Sequence, residues 1–165
     1  MSTIEGRLKD LDIAIPDAMP PVVDGYVPAF APFVRCGGQI QLSGLLAKKD
    51  GKPFCGKVGE EISLEEGKVA ARGVAIELLA VLKAAAGDLD NVRQIVRLFV
   101  MVNGAPNFTQ PHRVADGASE LLVQVFGERG IHARSAVCVA QVPFGACVEI
   151  DMIAELRATP AGGSI

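Results

Sequence analysis

A chain of 165 residues, 50% hydrophobic and 21% charged, has the composition of one globular domain and lies far from the polar, highly charged make-up of disordered chains. A net charge of −3, a pI near 5.4 and scattered Lys and Arg give no general attraction to phosphate backbones or anionic lipid, which argues against nucleic acid as the main partner. The N-terminus MSTIEGRLKDLDIAI lacks the apolar core of a signal peptide, and no uninterrupted apolar run approaches the ~18 residues of a membrane helix, so a soluble, cytoplasmic protein is expected.

Ile4, Leu8 and Leu11 recur at helical intervals after Ser2, a candidate N-cap, and predict a short amphipathic helix appended to the surface. PDAMPPVVDGY, rich in Pro, Asp and Gly, reads as an extended connector, so residues 1–25 form an N-terminal helix and linker. Pro28 and Pro32 confine YVPAFAPFVR to an edge or irregular strand, Gly37-Gly38 turns the chain, and QIQLSGLLA alternates as a true strand. After the loop DGKPFCGKVGEE, Ser63 and Glu66 form the S-x-x-E capping box of a long helix. Its Val74, Leu78, Leu82 and Ala85 share one face, and Gly87 stops it. NVRQIVRLFVMV is apolar and β-branched, a strand buried on at least one face.

From Gln110 to Glu128 a second long helix puts Val114, Ala118, Leu121, Leu122 and Val125 on one stripe, with Pro111 in its first turn. HARSAVCVAQVPFGACVEIDMIAEL reads as two alternating strands paired as a hairpin around Pro143-Phe144-Gly145, and residues 157–165 as a polar, disordered tail. Two long helices and about six strands imply an α+β fold, a mixed sheet with both helices on one face. Apolar residues on both sheet faces would leave one face uncovered, which predicts an oligomer. Cys36, Cys55, Cys138 and Cys147 form no C-x-x-C pair and share no zinc spacing with His112 or His132, so they read as reduced thiols, Cys138 and Cys147 in the core. His132, in the loop before Arg134, reads as structural, and no motif suggests a metal or organic cofactor.

Ser43-Gly44 after a strand, Asn107-Phe108 at a strand turn, and above all ARSAVCVAQVPFGACVEIDMIA resemble the RidA family, also called YjgF, across residues 26–156 in matching order. The most specific part joins the A-R-S step, the P-x-G-A turn and the V-E-I that sets Glu149 fifteen residues after Arg134. The resemblance implies a chorismate-mutase-like fold, a homotrimer with three clefts between subunits, and hydrolytic deamination of small enamine or 2-imino acid intermediates to a 2-keto acid and ammonia. It implies Arg134 and Glu149 as the catalytic pair, with Ser43, Gly44 and His112 at the cleft. Phe30 stands near where active deaminases carry a tyrosine, and Tyr26 is its rival. His112 falls where the deaminase branch has an asparagine, and Ala136 where many members have a cysteine, so the chain resembles a divergent branch whose ligand can differ.

The residue chemistry fits these roles. An arginine fork matches a carboxylate bidentately, which a lysine cannot do, and a glutamate can hold a water and take its proton. In the predicted hairpin Glu149 would oppose Ala140, about six positions or roughly 20 Å from Arg134 at ~3.3 Å per residue, so a shared ligand would need the two from different subunits. The alternative roles are structural: Arg134 pairing an acidic residue at an interface, and Glu149 as its buried ion-pair partner. The function classes that remain are the imine deaminase and a non-catalytic binder of small carboxylates with the same cleft. A ribonuclease finds no basic stripe here.

Overall fold

The computed structural model describes residues 3–18 and 25–158. Helix α1 (Ile4–Asp10) starts at Thr3, whose hydroxyl accepts from the Gly6 amide, and the expected cap Ser2 lies outside the described residues. α1 is not a surface appendage. Ile4 and Leu8 are buried in the main core, and Arg7 donates to the Val125 carbonyl, so the stripe that makes the helix amphipathic also docks it.

Strands β1 (Phe33–Cys36) and β2 (Gln39–Leu46) pair about the Gly37-Gly38 turn, followed by a small ribbon of β3 (Lys48–Lys49) and β4 (Lys52–Pro53). Helix α2 (Leu64–Ala86) begins with both halves of the capping box: the Ser63 hydroxyl accepts from Glu66 N, and the Glu66 carboxylate accepts from Ser63 N. Strand β5 (Val92–Asn103), helix α3 (Pro111–Phe126), β6 (Ala133–Val139) and β7 (Val148–Leu156) complete the chain, with Pro111 opening α3. α2 and α3 lie side by side on the sheet, so close that a Cβ at Gly117 would strike the Lys68 carbonyl.

The main sheet has five strands in the order β1-β2-β7-β5-β6 rather than the expected six or so, and β3 and β4 form a separate ribbon. β6 and β7 do not form the predicted hairpin. β5 lies between them, parallel to β6 and antiparallel to β7. Alternation marked both as strands but carries no information about neighbours. β5, the longest strand, is paired on both sides, and α3 is the crossover that a parallel β5-β6 pair requires. The Pro143–Gly145 segment still makes a tight turn, with Phe144 at φ 57°, within a connection long enough to step over one strand.

Val148, Ile150, Met152 and Ala154 of β7 are buried against the helices, with Ile95, Leu98, Leu78, Leu82, Leu121 and Leu122 in the same cluster. Full burial of each large side chain contributes ~1.5–3 kcal/mol before entropy is counted. Glu149, Asp151 and Ile153 point the other way and share the open face with Phe99, Met101 and Val137. That face is therefore mixed, apolar and charged, rather than uniformly apolar. Cys147 is buried as expected, but Cys138 is exposed because β6 is the sheet edge. Arg157 is pinned, donating through its amide to the Asn91 carbonyl and through Nε to that of Asp90, and residues 159–165 lie outside the described chain.

Candidate functional site

Glu149 sits beside a bulge in β2. Leu42 faces Met152 and Leu45 faces Ile150, so Ser43 and Gly44 together oppose Asp151, one residue too many for a regular ladder. The bend lets the Glu149 carboxylate fold over Gly44. A Cβ at Gly44 would collide with Glu149 Oε1 and lie 3.1 Å from its Cδ, so only a hydrogen fits beneath the carboxylate. Ser43 Oγ donates to the Ala31 carbonyl at 2.7 Å and keeps its lone pairs as acceptors. This bond ties the bulge to the segment carrying Phe30, whose ring is 52% exposed. Burial, and after it the neighbouring Asp151, push the Glu149 carboxyl above the ordinary carboxylate range. Asp151 is raised by burial as well, opposed by Arg97.

Arg134 lies on the helix side of edge strand β6. Its Nη1 donates to Asp116 Oδ1 at 2.9 Å and Ser119 Oγ at 2.9 Å, and its Nη2 to the His112 carbonyl at 3.2 Å. Nε makes no hydrogen bond among the described residues, so an edge of the guanidinium is open while its far end is fixed. The side chain is 22% exposed. His112 thus meets Arg134 through its backbone, and its ring is exposed at the start of α3. The partners missed in the sequence were Asp116 and Ser119. Their signal was there, a polar row at 112, 116 and 119 at helical spacing beside the apolar stripe of α3.

The structure brings Ser43, Gly44 and Glu149 together, and His112 with Arg134, but not the two groups with each other. Arg134 faces Leu98, which faces Met152, so Arg134 and Glu149 are two strands and three residues apart. That is roughly 14 Å at ~3.3 Å per residue and ~4.8 Å per strand, and the odd offset puts them on opposite faces. The two are apart, as the hairpin argument expected, but three residues and two strands apart rather than six positions along one ribbon. Tyr26 is 54% exposed and packs against Phe144, ring centroids 6.4 Å apart, at the turn before β7. A groove of about 380 Å³ beside α1, lined by Glu5, Lys9, Ile13 and Lys83 among others, contains none of these residues.

The sequence pattern of the family described as "YjgF/chorismate_mutase-like, putative endoribonuclease" matches residues 11–156. The chain belongs to the RidA/YjgF family. Among its relatives, this RidA/YjgF chain is 43% identical to Protein TCP17 of Trypanosoma cruzi over 93% of its own length and 94% of that protein. It is 38% identical to the crystal structure of Atu1372 from Agrobacterium tumefaciens, with a TM-score of 0.82 and 94% of each chain covered. Against RidA from the Antarctic bacterium Psychrobacter sp. PAMC 21119 the identity is 27% and the TM-score 0.53, covering 86% of this chain and 99% of that one. Among the described residues no group of three or more His, Cys, Asp and Glu side chains is placed to hold a metal, and no helix is long and apolar enough to cross a membrane.

Proposed function

We propose that this RidA/YjgF protein hydrolyses small 2-imino acids, or their enamine tautomers, to 2-keto acid and ammonia in clefts between the subunits of a homotrimer. The observation that carries this reading is the placement of Arg134 at the β6 edge and of Glu149 on the open face: a neighbour's open face laid against that edge would bring the two together. The mixed apolar and charged character of the open face, with Phe99, Met101 and Val137 among the carboxylates, suits such a contact.

In this cleft the free edge of Arg134 takes the substrate carboxylate, with Ser43 and the Gly44 backbone beside the reacting carbon. Glu149 holds a water and accepts its proton as the oxygen attacks the C=N carbon, and the π pair moves to nitrogen. The proton then passes to nitrogen to give a carbinolamine; its hydroxyl proton follows through Glu149 to the same nitrogen, the oxygen lone pair closes the C=O bond, and the C–N bond breaks to release ammonia and the 2-keto acid. A carboxyl raised by burial is a better base for this step than an ordinary one.

A second reading, carboxylate binding without turnover, is favoured by Asp116, which offsets the Arg134 charge and occupies part of its fork. One assay separates the two: keto acid formation from an imine generated by an amino-acid oxidase, with semicarbazide trapping the free imine. Acceleration by the wild type and its loss in Arg134→Ala support the deaminase. No acceleration by the folded protein across several amino acids overturns it in favour of the binder.

A further inference from the structure

The two sides of Arg134 are not equivalent, and what distinguishes them is a directed chain of hydrogen bonds. His132 Nδ1 lies 2.6 Å from the Gly130 carbonyl, and His132 Nε2 lies 3.1 Å from Ser119 Oγ. A carbonyl can only accept, so Nδ1 carries the proton. In the neutral ring Nε2 is then an acceptor, and the Ser119 hydroxyl must donate to it. That commits a Ser119 lone pair to Arg134 Nη1, 2.9 Å away. Each donor and acceptor in the run Gly130–His132–Ser119–Arg134 is assigned by the one before it. Burial of the ring, and the Arg134 charge, both favour the neutral imidazole that this assignment needs.

We propose that His132 is a positioning residue: through the Ser119 hydroxyl it locks the Arg134 guanidinium with Nη1 turned inward, so that Nε and the Nη2 hydrogen not used by the His112 carbonyl are the donors offered to the ligand carboxylate. The proposal rests on the reading of Arg134 as the carboxylate clamp. Asp116 on Nη1 at 2.9 Å and the His112 carbonyl on Nη2 at 3.2 Å leave the second Nη1 hydrogen without a partner and the inner edge held by one oxygen. With Ser119 on that hydrogen, both Nη1 hydrogens have fixed acceptors and the inner edge is closed to a ligand. His132 never touches the ligand.

The two amide replacements of histidine separate this role from simple packing. Glutamine puts its oxygen where Nε2 was and can still accept from Ser119, whereas asparagine keeps an N–H near the Nδ1 position and can bond Gly130 but leaves Ser119 without an acceptor. The expected result is a KM for the imino acid about fivefold to tenfold higher in His132→Asn with kcat little changed, the factor set by the net worth of one hydrogen bond, and a KM near the wild type in His132→Gln. Ser119→Ala should raise KM likewise, and adding His132→Asn to it should change nothing further.

A second readout needs neither turnover nor ligand. In NMR spectra of the intact protein, His132 should be protonated at Nδ1. The Arg134 Nη hydrogens should give separate signals in the wild type and in His132→Gln, and broadened, averaged signals in His132→Asn, with thermal melts confirming that the variants are folded. A wild-type ring protonated at Nε2, or Arg134 signals disturbed equally by Gln and Asn, overturns the proposal. Absent turnover with the Arg134 pattern as described would count against the deaminase reading alone.

Discussion

The closest contact in the candidate site makes a quantitative test. Gly44→Ala puts a methyl group into the space now filled by the Glu149 carboxylate, colliding with Oε1 and crowding Cδ at 3.1 Å and Cγ at 3.2 Å. Overpacking of this kind costs ~1–3 kcal/mol, with the lower end reached if Glu149 rotates away. For a chain of this length that corresponds to roughly 3–10 °C in Tm. Because the obstruction is one side chain, Glu149→Ala should relieve it. Gly44 does not have a positive φ, so in the Glu149→Ala background the added methyl should be neutral or stabilising by about 0.4–1 kcal/mol, through the entropy of the unfolded chain. Urea unfolding of the four proteins at one protein concentration closes the cycle, with an expected coupling of ~1–3 kcal/mol. In the imine assay Gly44→Ala should lose about 10²-fold in kcat/KM, as a displaced general base would. Equal destabilisation by Gly44→Ala with and without Glu149 would refute the contact and with it the glycine's role as the floor of the site.

Other consequences can be checked directly. Ser63→Ala removes the capping hydroxyl of α2 and should cost ~1 kcal/mol by urea unfolding, whereas Ser63→Asp should retain most of it. The raised Glu149 carboxyl contributes stability that is complete in acid, below its unfolded pKa, and is lost as pH rises through its raised folded value. Glu149→Gln should flatten the urea midpoint against pH across that window, and an unchanged slope would contradict the assignment. Cys147 is fully buried with its thiol pushed up to about 11, so iodoacetamide at mildly alkaline pH should label the exposed cysteines first and Cys147 only after unfolding, as read by mass spectrometry.

Much of the fold was legible because its signals are local. The capping box at Ser63 and Glu66, the stripes of α2 and α3, and the alternation of β7 are each decided within a few residues, and all appear where expected. The order of strands was not legible, because alternation tells which side chains share a face and nothing of which strand lies alongside. Hence the false hairpin of β6 with β7. The docking of α1 depends likewise on distant partners at Val125 and the core.

At the site, the A-R-S and V-E-I steps marked Arg134 and Glu149, while the contact of Gly44 with Glu149 depends on the pairing of β2 with β7, which no local pattern gives. Asp116 and Ser119 escaped notice, and His132 was read as structural, because they act by contact across the α3-β6 packing. Only the polar row on α3 hinted at them.

The central claim is that Arg134 of one subunit serves the same cleft as Glu149 of another, and mixing tests it most directly. Arg134→Ala and Glu149→Ala proteins, each inactive alone, would be unfolded, combined in equal amounts and refolded together. Random assembly places an intact Arg134 opposite an intact Glu149 in about a quarter of the clefts, so activity should return to about a quarter of the wild-type value. Mixed oligomers that form and stay inactive would contradict the shared cleft.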